Sequence, residues 1–75
     1  MKFNDQSSIN ELQKASLKSC GIVLNAIKAA SDNGVNEITI TSKDAGYAKD
    51  LFVFIKAGNK TITALFHGNK LVEVA

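Results

Sequence analysis

Seventy-five residues make room for one domain. With 45% hydrophobic and 21% charged residues, five glycines and no proline, the composition excludes disorder, collagen and a proline-rich linker. Nine lysines and no arginine against seven acids give a net charge of +2: too little for the dense basic stripe of a dedicated DNA reader, and not acidic enough for a nucleic-acid mimic.

The N-terminus, Met1-Lys2-Phe3-Asn4-Asp5, lacks the apolar stretch and small-residue cleavage site of a secretory signal. No apolar run approaches the ~18 residues that a membrane span needs. A lone cysteine, Cys20, excludes an internal disulfide and a Cys-based zinc site. A soluble, cytoplasmic chain with no membrane partner is expected. Its size suits an accessory protein of a phage or mobile element.

Ser8-Ile9-Asn10-Glu11 has capping-box spacing, with Ser8 and Glu11 as the reciprocal pair. Beyond it Leu12, Leu17, Cys20, Leu24, Ile27 and Ala30 recur at helical spacing, and Lys14, Lys18, Asn25, Lys28 and Asp32 fall largely opposite. Gly34 can take a left-handed C-terminal position with Val35 as its apolar follower. The pattern predicts a helix over 8–33. Mid-helix, Gly21 costs ~1 kcal/mol against alanine. It therefore marks either a close backbone approach or a meeting of two helices, and the helix is expected to be kinked or split there.

Residues 37–41 alternate with period two and are rich in β-branched side chains, which reads as a half-buried strand. Residues 42–50 read as a loop. The triplet Gly-Asn-Lys then recurs at 58–60 and 68–70, between apolar runs. Glycine first in a two-residue loop suits a type II′ hairpin turn. The result is a three-strand meander over 51–57, 60–67 and 70–74. The predicted fold is α+β: an N-terminal helix packed on a four-stranded, mainly antiparallel sheet.

Two-residue loops fix the pairing. Ile55 faces Ile62, Val53 faces Ala64, Leu51 faces Phe66, Phe66 faces Leu71 and Leu65 faces Val72. One sheet face is then nearly all apolar and should receive the helix. The other carries Phe52, Phe54, Leu65, Val72 and Val74 among Lys56, Thr61, Thr63, His67 and Lys70. An antiparallel sheet with one wet face should alternate cleanly, and this one does not. A single amphipathic helix covers one face only, so the second needs a partner. The competing arrangement is a helix split at Gly21 that wraps both faces.

No constellation points to catalysis. His67 has no second histidine to share a metal, and Cys20 has no activating neighbour in sequence. Asp44 and Asp50 could approach across a polar loop, but two solvated aspartates are the simpler reading. No phosphate-cradling glycine loop occurs. Neither cofactor nor metal is expected.

The leading expectation is a non-enzymatic protein-binding module (an inhibitor, adaptor or regulator) that pairs with a second copy or another protein. Its contacts would be Phe52, Phe54, Leu65, Val72 and Val74, with Tyr47 in the 42–50 loop as a further contact. The alternative is nucleic-acid binding. It would use a helix-turn-helix-like element over 16–33, whose outer face offers one charge and no arginine, or single-strand stacking on Phe52 and Phe54.

Overall fold

The computed structural model describes residues 1–46 and 49–75. In chain order these form β1 (Lys2–Asp5), α1 (Glu11–Lys18), α2 (Gly21–Asp32), β2 (Glu37–Asp44), β3 (Asp50–Ala57), β4 (Lys60–His67) and β5 (Lys70–Val74). The fold is α+β: two helices on a mixed sheet whose five strands lie in sequence order. Strand β1 runs parallel to β2, and every other neighbouring pair is antiparallel.

The predicted sheet lacked β1. Lys2-Phe3-Asn4-Asp5 has a single apolar residue flanked by polar ones, too short an alternation to read. Parallel pairing needs a crossover of a dozen or more residues, and α1 and α2 supply it. Strand β2 also runs on to Asp44, so residues 42–44 belong to the sheet rather than to a loop.

The long helix is two helices, as the small residues around Gly21 allowed. The break falls at Ser19 and Cys20. The Ser19 hydroxyl donates back to the Ala15 and Ser16 carbonyls, both at 3.1 Å. Cys20 is extended (φ −79°, ψ 119°) and Gly21 is the first residue of α2. The N-terminal cap also differs from the Ser8–Glu11 expectation. Asn10 accepts from the Gln13 backbone N–H at 2.9 Å, and the Gln13 side chain accepts from the Asn10 N–H at 3.0 Å. Ser8 instead bonds Ser42 on β2, through its N–H at 2.9 Å and hydroxyl to hydroxyl at 3.0 Å. At the far end α2 closes as predicted. Gly34 is left-handed (φ 81°), its N–H reaches the Ser31 carbonyl, and the Val35 N–H reaches that of Ala30.

Both Gly-Asn turns have positive φ at glycine (Gly58 62°, Gly68 60°) and at no asparagine. That is the signature of type II′ rather than I′. The β3–β4 register is the predicted one throughout.

Leu17 from α1 and Val23 from α2 meet Val53, Ile55, Ala64 and Phe66 in a single core. All four strand residues lie on one face of the sheet. Both helices therefore pack on the same side, and the wrapping arrangement does not occur. Leu12 and Leu24, predicted on the buried stripe, are 64% and 48% exposed, while Val23, Ala26 and Ile27 face the sheet. The helical phase restarts at Cys20, so one continuous stripe cannot describe both helices.

Candidate interaction surface

The reverse face is built by strand parity. One row across it runs Lys43, Phe52, Leu65, Glu73; the next runs Thr41, Phe54, Thr63; a third runs Asp50, His67, Lys70. Phe52 and Phe54 are two residues apart on β3, so both rings stand on this face. Their centroids are 6.3 Å apart at an interplanar angle of 27°, within the range of favourable aromatic pairs. Phe52, Phe54 and Leu65 are only half-buried, and Val72 is 48% exposed.

The β4–β5 hairpin departs from the predicted pairing. Phe66 faces Leu71 as expected, but Leu65 faces Glu73 and Ala64 faces Val74, with Val72 as the extra residue of a bulge. Parity beyond the bulge is reversed. Val74 therefore packs against the helix-side core and leaves the candidate patch, while Glu73 enters it. The remaining patch among the paired residues is Phe52, Phe54 and Leu65; Val72, unpaired in the bulge, is exposed beside it. Tyr47 lies outside the described residues.

Of the groups considered for chemistry, only His67 and Asp50 come together. Cys20 packs on the helix-side core, whereas His67 stands on the reverse face with Nδ1 2.7 Å from Asp50 Oδ1. Asp44 is paired in register with Leu51 on the helix side and accepts the Gly46 N–H at 2.9 Å. The two aspartates thus belong to opposite faces. Among the described residues no three His, Cys, Asp or Glu side chains gather as a metal site would require. No helix there is long and apolar enough to cross a membrane.

The helices α1 and α2 are joined by Ser19 and Cys20 alone, a shorter link than the three- or four-residue turn of a helix-turn-helix. The outward residues of α2 include Ile22, Leu24, Asn25, Lys28, Ala29 and Asp32. One lysine balanced by one aspartate offers little to a phosphate backbone.

On the helix side, a largely apolar cleft of about 520 Å³ lies between the helix pair and β1–β2. Phe3, Leu24, Ile27 and Ile40 line it, together with Lys14 and Lys18. Sequence reasoning missed this cleft because it depends on β1. The available signal was Phe3, a lone aromatic in an otherwise polar segment.

No family model, curated protein or solved structure matches this chain.

Proposed function

We propose that this chain is a small protein-binding module without catalytic chemistry, and that its reverse sheet face, carrying Phe52, Phe54 and Leu65 with Val72 beside them, is the contact surface. One observation carries the reading: two stacked phenylalanines remain partly exposed on a face that neither helix covers. Clustered apolar surface of this kind marks an interaction site more often than solvated sheet. Aromatic side chains are the commonest energetic anchors of such contacts. Cys20 and Asp44 stand apart from the His67–Asp50 pair, which favours binding over reaction. An inhibitor, adaptor or regulator working inside the cell is the class this suits.

A Phe52→Ser, Phe54→Ser double variant tests the reading. Its circular dichroism should remain that of the folded chain while association is lost. Unfolding of the isolated chain would make both residues structural and end the proposal.

The stacked rings, with Lys43 and Lys56 beside them, also favour a second reading, a platform for single-stranded nucleic acid. Asp50 and Glu73 on the same face oppose it. Binding to an oligothymidylate that weakens steeply with salt would support this second reading. No binding at low salt would remove it.

A further inference from the structure

The rows of the reverse face constrain what can cover it. The row through Phe52 begins with a lysine on β2 and ends with a glutamate on β5: Lys43, Phe52, Leu65, Glu73. The row below runs Asp50, His67, Lys70. The Phe52 row is antisymmetric in charge about a line running between β3 and β4, and the Asp50 row sets its acid and its lysine on opposite sides of the same line. Resting on the reading that this face is a protein contact, we propose that its partner is a second copy of the chain, related by a two-fold axis lying between the sheets and nearly parallel to β3 and β4.

Rotation about such an axis exchanges β3 with β4 and β2 with β5. Phe52 then meets the other copy's Leu65, Lys43 meets its Glu73, and Asp50 meets its His67. Every contact occurs twice, as an isologous interface requires. Face-to-face sheets pack with strands crossing at about −30°, which tilts the axis by about 15° from the strand direction. The tilt moves the outer residues by a few ångströms, within reach of a lysine stem.

A two-fold axis perpendicular to the strands is the competing geometry. Passing between the Phe52 and Phe54 rows, it would place Lys43 over the partner's Thr41 and leave Glu73 without a cation; passing between the Phe52 and Asp50 rows, it would set Glu73 over Lys70 but bury Asp50 under Phe52 and leave Lys43 without an acid. Four strands at about 4.8 Å, each about eight residues at about 3.4 Å, make a face of roughly 500 Å² in projection. That is somewhat under the ~800 Å² per partner of a standard interface, so the dimer should dissociate on dilution.

Charge exchange tests the arrangement. Light scattering across a concentration series should show a monomer–dimer equilibrium. Lys43→Glu alone and Glu73→Lys alone should each raise the dimer Kd about tenfold, because each creates two like-charge contacts. The double variant should return Kd to within about twofold of the parent. A strict monomer at high concentration would overturn the proposal, and so would a dimer indifferent to both reversals. In either case the Phe52→Ser, Phe54→Ser variant separates the two readings: if it stays folded, the face remains available to a different protein, and if it unfolds, the contact surface itself is lost.

Discussion

Strands β3 and β4 feed two faces of one sheet with similar side chains and opposite outcomes. On the helix side Val53, Ala64 and Phe66 have no exposed surface. On the reverse side their immediate neighbours Phe52, Phe54 and Leu65 keep part of their surface exposed. On β3 and β4 a phenylalanine is thus fully buried or partly exposed according to parity, whereas Phe3, on the helix side of β1, is 55% exposed because the helices do not reach over it. The difference lies in where the helices land, and both land on the same side. Hydrophobicity along a strand says that a face wants covering; the topology says whether the chain itself can do it.

Replacing one phenylalanine on each face gives the sharpest measurement of that difference. Truncating Phe66 to alanine should cost about 3–5 kcal/mol, the usual range for a fully buried ring. For a domain this small that is most of its stability, so Phe66→Ala should be largely unfolded, and Phe66→Leu provides a graded version. Phe54→Ala, measured dilute enough to keep the chain monomeric, should cost about 1 kcal/mol or less. Urea melts of both variants decide the matter. Equal losses would show that the two faces are equally core-like and would remove the basis for a contact surface.

Much of this architecture was readable from residue pattern, and the misses share a cause. The meander was legible because each Gly-Asn-Lys triplet fixes a two-residue turn, and two-residue turns fix register. The C-terminus of α2 was legible because a left-handed glycine followed by an apolar residue is a local motif. What failed depended on distant partners. Strand β1 exists because β2 accepts it in parallel, and four mostly polar residues carry no trace of that. The cap at Asn10 prevailed over Ser8 because Ser8 is engaged by Ser42, thirty-four residues away. The bulge at Val72 reversed the parity of Val74 without any glycine or proline to announce it. Of the residues proposed for the patch, the three on β3 and β4 lie on the sheet face that the register assigned them. The two on β5 divided, Val72 exposed and Val74 turned inward.

The covered face also depends on how its helix layer is attached, and Gln13 is the fastening point. It is 7% exposed, and its amide nitrogen donates to the Gly68 carbonyl at 2.9 Å while its oxygen completes the α1 cap. Beside it, the Asn10 amide donates to Asn69 at 2.7 Å, so the start of α1 is bound to the β4–β5 turn. Gln13→Ala removes the tether and half of the capping box, and should cost about 1–2 kcal/mol. Amide exchange should report it unevenly, with protection falling first in α1 and last in β3. A uniform loss over sheet and helices would mean that the helix layer has no separate opening and that the covered face behaves as one unit.

The smallest effect should appear at the β1 end of the helix layer. Asp5 holds its carboxyl below the ordinary value of 3.8, chiefly because the Ser7 hydroxyl and then the Ser7 N–H donate to it, with Lys14 adding to the effect. Lys14 is raised above its ordinary 10.5 by Asp5 first and Glu11 second, lying 3.3 Å from the one carboxylate and 3.6 Å from the other. A depressed carboxyl stabilises the fold above its unfolded value and loses that contribution as pH falls through the lower folded value; a raised amine stabilises below its unfolded value and loses that contribution as pH rises through the higher folded one. The Asp5 contribution should therefore be intact above about pH 4 and fade below it, and that of Lys14 should fade only above about pH 10.5. Both groups are well solvated, so the change should be modest, and added salt should weaken the Lys14 part more than the Ser7 part. In thermal melts from about pH 2 to pH 5, Asp5→Asn should flatten the acid decline and leave the reverse face, with its separate Asp50–His67 pair, unaffected. An acid decline identical to that of the parent chain would show that Asp5 does not hold β1 to the helix layer in solution.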